Sequence, residues 1–298
     1  MSFEQVMATV TRLTTAAEAL AALGARVRAD GEGLALDPEI AAALDAVVGE
    51  LGVDTAGLSA GERVAVAGYA RAFLHMASDL ADDPRRPPGW AIEDPVVLLS
   101  LGRGSAAIAK VIARIAPRLE GLDAALRADG AAFCDVGAGV AALAVALCRT
   151  WDGMRVVGLE PWGPSRLLAN AEIADAGLGD RIELRPIRVE ELADDAAFDA
   201  VWLAGPFLSP DALPVALERS HAALKPGGWL LFGAFAAPPD PLAQRVAALR
   251  TIRSGGSAAG AEETVERLAA AGFTDVRALE RDWETPVGFV AGRRPVDR

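Results

Sequence analysis

The stretch AFCDVGAGVAA, residues 132–142, decides the fold of this chain. Its first five residues form a short apolar run that is typical of a buried strand, and an apolar helical pattern begins near residue 140. Between them, Gly137 and Gly139 permit a tight turn and let a ligand approach the backbone closely. A strand that turns over glycines into a helix predicts an α/β domain with a ligand site at the turn.

After this turn, strand-like runs alternate with helical stretches. We predict strands at 154–159, 181–185, 198–204 and 229–235, separated by helices near 140–151, 164–177 and 210–224. The alternation predicts a doubly wound, mostly parallel, Rossmann-like sheet with helices on both faces. Two last runs, at 274–280 and 287–292, are joined by too few residues for a parallel crossover. They therefore predict a C-terminal reversed-strand hairpin, which completes a seven-stranded sheet.

The chain before this sheet is predicted to be all-helical. Residues 1–80 lack strand-like runs, and Asp37-Pro38 has the N-cap and first-turn proline of a helix start. The stretch DDPRRPPG, residues 82–89, cannot continue a helix and is predicted to be a linker. We therefore place an N-terminal helical domain with its linker at 1–88 and the sheet domain at 89–298.

Composition argues against several classes of protein. With 29 basic and 41 acidic residues the formal net charge is −12, which disfavours a nucleic-acid partner and adsorption to an anionic membrane. Apolar runs fall short of the roughly 18 residues of a transmembrane helix. The two cysteines, Cys134 and Cys148, cannot make a disulfide framework. The N-terminus lacks the features of a signal peptide, so we expect a cytoplasmic protein.

Two carboxylates accompany the glycine turn. Asp135 lies two residues before Gly137, where it would repel the pyrophosphate of a dinucleotide but attract a ligand that carries an ammonium and a sulfonium. Glu160 ends the predicted second strand, where a carboxylate can accept both hydroxyls of a ribose. Glu160 supports a nucleoside ligand without choosing between these two kinds of ligand.

Together these motifs resemble class I S-adenosylmethionine-dependent methyltransferases of the small-molecule type. The glycine turn is similar to their first motif, with Ala141 in place of its third glycine, and ALKPGGWLLFG (223–233) with the terminal hairpin is similar to their sheet ending. The resemblance covers about residues 89–298. It implies S-adenosyl-L-methionine as cofactor and transfer of its methyl group to a small-molecule acceptor by direct displacement.

The resemblance also implies contacts to the methionine part of the cofactor. Asp135, Gly137 and Gly139, with Ala138 between the glycines, would surround it. Arg103, in GRGS at 102–105, could pair with its carboxylate, the alternative being a surface-loop arginine. Ser105 of the same stretch is predicted to cap a further helix.

The nucleoside part would lie at the second and third strands. Glu160 would hold the ribose, while Pro161 and Trp162 would cover one face of the adenine, the alternative for Trp162 being a rim or interface position.

A departure from the family pattern concerns the adenine amino group. Arg188 stands where the family often has an aspartate, and an arginine cannot accept a hydrogen bond. Glu190 or Glu191 could take that role, or the adenine contact could be to the backbone only, at Val189; the sequence leaves these open.

The reaction would take place at the end of the fourth strand, with Ala204 at the cofactor. Trp202 and Phe207 are candidates for an apolar acceptor pocket, with the core as the alternative for both. Gly205-Pro206-Phe207 lacks the signature of nucleobase amino methylation, and no aspartate ends this strand, so we predict neither a nucleic-acid substrate nor a metal.

A general base is not evident in the sequence. His75 is a weak candidate, because Arg71 and Asp79 one turn away make a polar helix face, which is more simply a solvated one. His221 is predicted to lie on a solvated face far from the cofactor.

Two alternatives to a methyltransferase remain, a cofactor-binding protein without transferase activity and, remotely, an NAD-dependent dehydrogenase. The N-terminal helices could also form a homodimer.

Overall fold

The computed structural model describes residues 2–296 and divides the chain into two compact units. The first contains the chain up to Arg86 together with Asp94–Leu101, and the second contains Pro87–Glu93 together with the chain from Gly102 onward. The predicted division between residues 88 and 89 therefore differs at two segments, since 87–88 group with the sheet and 94–101 with the N-terminal helices.

The first unit is helical, as predicted. Its helices are α1 (Phe3–Glu32), α2 (Pro38–Glu50), α3 (Ala60–Asp82) and most of α4 (Pro95–Arg103). The Asp37 carboxylate accepts from the first backbone N–H groups of α2, as a capping residue does. Helices α1 and α3 approach closely, because a Cβ atom at Gly24 would lie 2.7 Å from Ala70 Cβ.

The second unit contains one seven-stranded sheet in the order β3-β2-β1-β4-β5-β7-β6. Its strands are β1 (Ala132–Val136), β2 (Arg155–Leu159), β3 (Ile182–Arg185), β4 (Phe198–Ala204), β5 (Leu224–Phe235), β6 (Thr274–Leu279) and β7 (Val287–Arg293). Strand β7 runs antiparallel to both of its neighbours, and the other pairings are parallel. The predicted doubly wound sheet with its C-terminal hairpin is confirmed.

Helices cover both faces of this sheet. They are α5 (Ala106–Ile115), α6 (Leu122–Arg127), α7 (Ala142–Thr150), α8 (Gly163–Asp175), α9 (Leu213–Ala223) and α11 (Ala261–Ala270). Helix α10 (Pro241–Arg253), which follows β5, has no buried residue. Because side chains alternate along a strand, neighbouring residues such as Phe133 and Cys134 enter separate hydrophobic clusters. The predicted cap of α5 is wrong: the Ser105 hydroxyl donates to the Gly102 carbonyl at 2.7 Å and makes no cap bond.

Two helical stretches of the described chain, Phe3–Glu32 and Pro95–Arg118, are long and apolar enough to cross a membrane by length and composition alone. This corrects the expectation that no stretch would qualify, because each stretch contains 18 consecutive residues with no more than two charged side chains. It is weak evidence for a membrane, since buried core helices pass the same test. Val97 and Ile112 of the second stretch are fully buried.

In the turn after β1, every second residue from 137 to 141 has a left-handed backbone conformation. Gly137, Gly139 and Ala141 have φ values of 77°, 58° and 62°. The position of the missing third glycine therefore needs the left-handed conformation, which is costly for an alanine.

We expect Ala141→Gly to raise the free energy of unfolding by about 0.5–1 kcal/mol. Relief of the left-handed conformation is worth roughly 1–2 kcal/mol, and the greater freedom of glycine in the unfolded chain returns part of it. Chemical denaturation measures the change. The control is Ala138→Gly in the same turn, where φ is not positive and the same substitution should destabilise. Equal effects of the two variants would contradict the argument.

Candidate active site

The turn after β1 is hydrogen-bonded to the end of β2. The backbone N–H groups of Gly137 and Ala138 both donate to the Leu159 carbonyl, at 2.9 and 3.0 Å. The fit is close, since a Cβ atom at Gly158 would lie 2.9 Å from Ala138 Cβ. The glycine turn and the carboxyl end of β2 therefore form one backbone surface.

Glu160 lies at the centre of this surface and is 7% exposed. Its Oε2 accepts from the Gly139 N–H at 2.7 Å, and its Oε1 accepts from the Trp162 N–H at 2.8 Å. A carboxylate has about four lone-pair sites, so each oxygen keeps one for a further donor. This leaves two acceptors side by side, which matches the two hydroxyls of a ribose.

Asp135 lies beneath the same turn and is 2% exposed. Its Oδ2 is buried without a hydrogen-bond partner among the residues that the structure describes. Burial, with a contribution from the Glu160 charge, raises the pKa of Asp135 to about 7. Burial also raises the pKa of Glu160, although its two backbone N–H partners oppose this.

Two buried carboxylates at one turn determine which ligand fits. An unpartnered acceptor in a site of low dielectric favours a ligand that brings a positive charge or a hydrogen-bond donor. S-Adenosylmethionine brings an ammonium, a sulfonium and a ribose diol, so its chemistry fits the residues present. A pyrophosphate would add negative charge and does not fit.

Trp162 follows Glu160 and is half-buried. Its indole Nε1–H donates to the Ile92 carbonyl at 2.8 Å. The guanidinium of Arg166 donates to the carbonyls of Glu160 and Pro161, at 3.1 and 3.2 Å. The loop after β2 is thus fixed at the position where the resemblance places the adenine, and the adenine contact itself stays a prediction.

The loop after β3 contains few candidate partners for the adenine amino group. The side chain of Arg188 is exposed, and Val189 is 4% exposed within the core. Oε2 of Glu191 accepts from the Arg188 backbone N–H at 2.9 Å and so closes its own turn. Glu190 makes no such local bond, and it remains the carboxylate available to an adenine amino group.

Arg103 does not stand free as the prediction requires. Its Nη2 lies 2.6 Å from Oε1 of Glu172 on α8. The preceding residue does reach the glycine turn, because a Cβ atom at Gly102 would lie 2.5 Å from Val140 Cγ2. Among the described residues only Nη2 of the guanidinium is paired, so its other N–H groups could still reach a cofactor carboxylate, and that role stays a prediction.

The end of β4 separates the two acceptor candidates. Trp202 is 5% exposed and packs on Phe289 with ring centroids 5.0 Å apart. It is a core residue and not a pocket wall, because β4 is a central strand covered on both faces. Phe207, by contrast, is 62% exposed beyond the strand end, and Ala204 is half-buried beside it.

The two histidines have different settings. His75 is exposed on α3 of the first unit, where with Arg28, Arg71 and Asp94 it borders an open cleft of about 360 Å³. His221 is half-buried rather than solvated, with its ring edge-on to Phe273 at 4.9 Å, and burial lowers its pKa. Neither is shown to act as a base.

Within residues 2–296, no three histidine, cysteine, aspartate or glutamate side chains are grouped so that they could hold a metal ion. The predicted absence of a metal stays a prediction.

Sequence reasoning missed the contribution of the linker. Residues 87–93 lie against the loops at the carboxyl edge of the sheet, with Gly89 and Ile92 both hydrogen-bonded there. The available signal was Trp90 directly after Pro87-Pro88-Gly89, with Trp162 in a similar proline- and glycine-containing stretch, EPWGP at 160–164.

Comparison with known proteins relates this site to a protein family. Residues 133–228 match the family model of a methyltransferase domain. A comparison with curated proteins found no match.

Solved structures resemble the chain over nearly its whole length. One is an O-methyltransferase family protein from Burkholderia thailandensis, with 14% identity, a TM-score of 0.71 and coverage of 98% of this chain and 99% of that one. Human N-acetylserotonin methyltransferase in complex with S-adenosylmethionine has 15% identity, a TM-score of 0.66 and coverage of 99% and 100%. The mitomycin 7-O-methyltransferase MmcR has 21% identity, a TM-score of 0.66 and coverage of 98% of both chains. At these identities the likeness shows the fold.

The fold and the matched domain define a class I methyltransferase, so the predicted resemblance is confirmed. Residues 133–228 are a methyltransferase domain, and the comparisons support S-adenosylmethionine-dependent methyl transfer rather than a dehydrogenase or a binding protein without activity.

We expect Asp135→Asn to change how stability depends on pH. An ordinary aspartate in the unfolded chain titrates near pH 4, whereas Asp135 in the folded chain titrates at about 7. Between these values the folded chain holds a proton that the unfolded chain releases. The free energy of unfolding therefore falls as pH rises through this window.

The variant, which cannot ionise there, should gain stability relative to the parent between pH 5 and pH 8. A pKa unit corresponds to about 1.4 kcal/mol, so the relative gain is on the order of a few kcal/mol. Thermal unfolding of the ligand-free protein at the two pH values measures it. Asp152→Asn, at an exposed position, is the control and should show no relative change. A constant difference between parent and Asp135→Asn would contradict the raised pKa.

Proposed function

We propose that the chain transfers the methyl group of S-adenosylmethionine to an oxygen of an apolar small molecule, in the cytoplasm and without a metal. The observation that carries the proposal is the pair of buried carboxylates, Asp135 and Glu160, on a glycine turn at the end of β1. The O-methyltransferases among the similar structures support oxygen as the acceptor atom. Nucleic acid as substrate is disfavoured by the net charge of −12.

The donor supplies an electrophilic methyl group on a sulfonium. Glu160 would accept from the ribose hydroxyls, and Asp135 would attract the positive charge of the methionine part. Gly137 and Gly139 have no side chain and so keep the backbone open to the ligand. Their positive φ angles would also be strained for any residue with a Cβ atom. These residues fix the position of the donor, and alignment with the acceptor provides the main rate enhancement.

Deprotonation of the acceptor is the remaining chemical requirement. No histidine, aspartate or glutamate ends β4, so an acidic phenol or another readily ionised hydroxyl fits this site best. His75 stays the weak candidate for a base, since it is exposed on a different unit of the chain.

The proposal is tested by turnover with a methyl-labelled donor and an extract of the host, followed by mass analysis of the products. We expect label in a small molecule that then resists further methylation at the same hydroxyl. S-Adenosylhomocysteine should raise the melting temperature and NAD should not, since a ligand at about 100 times its dissociation constant adds roughly 2.7 kcal/mol. Binding without any labelled product would favour the sensor alternative.

Glu160→Gln should weaken S-adenosylhomocysteine binding by about ten- to a hundredfold. The amide replaces one acceptor oxygen with a donor that faces the N–H of Gly139 or Trp162, so the ribose hydroxyls lose an ionised partner. Calorimetric titration measures the dissociation constant. The matched control is Glu183→Gln on β3, a carboxylate that is 60% exposed and paired with Arg185. Equal affinity of Glu160→Gln and the parent would show that the ribose is held elsewhere.

We further propose that α1 forms a homodimer. Its N-terminal half exposes apolar side chains at helical spacing, namely Phe3, Val6, Met7, Val10 and Leu13, with 41–78% of each accessible. A stripe of this kind in water favours burial against an identical stripe. The charged residues Glu4, Arg12 and Glu18 lie along the same helix, which disfavours its insertion into a bilayer.

Val10→Glu should shift the protein from dimer to monomer in sedimentation velocity, because it places a charge within the apolar stripe. Ala8→Glu introduces the same charge on the opposite side of α1, at an exposed position, and should leave the dimer intact. A parent protein that sediments as a monomer at micromolar concentration would contradict the dimer.

A further inference from the structure

The segment Pro87–Glu93, which we call the strap, contacts the end of α10 and two loops at the carboxyl edge of the sheet. The Gly89 N–H donates to the Arg253 carbonyl at the end of α10. The Trp90 ring contacts the Phe207 ring, which follows β4. The Ile92 carbonyl accepts from the indole of Trp162, which follows β2. The strap therefore spans from the end of α10, past the end of β4, to the end of β2.

The strand order shows which strand end lies beneath the strap. Strand β1 lies between β2 and β4, so a segment tied to the loops after β2 and β4 passes over the end of β1. The glycine turn with Asp135 lies at that end. The strap thus borders the cofactor site on one side and Phe207 on the other.

Trp90 and Phe207 form a corner of two aromatic rings. Their centroids are 5.8 Å apart and their planes are 87° apart. Phe207 is 62% exposed and Trp90 is half-buried, so a face of the phenyl ring remains accessible. Two perpendicular rings suit a flat molecule, which can stack on one ring while its edge meets the other.

Close backbone contacts support the two segments that carry these rings. The loop GGSAAG, residues 255–260, packs against the turn that carries Phe207, where a Cβ atom at Gly256 would lie 1.6 Å from the Pro206 carbonyl oxygen. Gly255 has a φ of 85°, and a Cβ atom there would lie 3.1 Å from Gly89 Cα. The glycines of this loop therefore let it support the strap and the Phe207 turn together. A corner fixed by backbone is preorganised, which reduces the entropy lost on binding.

We propose that Trp90, with Phe207, selects the acceptor: the site takes a planar aromatic hydroxyl compound and discriminates against a saturated one of the same skeleton. This rests on the proposed function, since it assigns the acceptor of the same site. Trp90 is a specificity-determining residue, and the strap places it.

The test uses two probes of one carbon skeleton, 2-naphthol and decahydro-2-naphthol. Their dissociation constants are measured by calorimetry on the full chain, with and without S-adenosylhomocysteine. We expect 2-naphthol to bind roughly three- to tenfold more tightly than its saturated counterpart, which is the range for one aromatic contact. Trp90→Leu should remove this preference by weakening 2-naphthol alone. Trp90→Phe should retain most of it.

Equal binding of the two probes, or a preference that survives Trp90→Leu, would overturn the proposal. S-Adenosylhomocysteine binding should be unchanged within twofold in both Trp90 variants, which shows that they are folded. If the parent failed to bind S-adenosylhomocysteine, the proposed function would fail, and the probe preference measured without it would still decide the role of Trp90.

Discussion

The carboxylate of Glu160 joins the two loops on which the site depends. One oxygen accepts from Gly139 in the turn after β1, and the other accepts from Trp162 in the loop after β2. Both donors are backbone N–H groups at turns, which secondary structure leaves unpaired. Since Glu160 is nearly buried, these bonds act at low dielectric, where a charge-assisted hydrogen bond is strong and an unpaired donor is costly. The turn, the loop after β2 and the strap bound to Trp162 are therefore positioned through one side chain.

Much of the fold could be predicted from the sequence because strand–helix alternation is a local pattern. Strands β1 and β4 have the predicted ends, and the short link before β7 was enough to predict a hairpin. Strand β5 begins at Leu224, five residues before the predicted start at Trp229. The prediction missed its first half because proline and glycine, here Pro226 and the two glycines that follow, are not typical of strands. Ladder pairing with β7 begins only at Trp229, and the earlier half is held by hydrogen bonds to Arg293 and Arg294 that no local pattern predicts.

The site was predictable only in part, since side-chain environment depends on tertiary contacts. Asp135 and Glu160 follow from their places at strand ends. Trp202 and Phe207 looked alike in the sequence, yet the sheet buries the first and leaves the second exposed. Trp90 could not be assigned, because its partner Phe207 lies more than a hundred residues along the chain. The pairing of Arg103 with Glu172 could not be predicted for the same reason, since no local pattern relates the two segments that it joins.

The buried carboxylates also bear on release of the product. Asp135 and Glu160 are 2% and 7% exposed, so water screens their charges poorly. Transfer of the methyl group removes the positive charge of the sulfonium from the bound ligand. If Asp135 and Glu160 hold the donor as proposed, the attraction between the site and its ligand would weaken in the step that forms the product, while hydrogen bonds from the ribose to Glu160 would be unaffected. A site that draws its affinity partly from charge thus favours the donor over the spent cofactor. A site built on hydrogen bonds alone would lack this difference between donor and product.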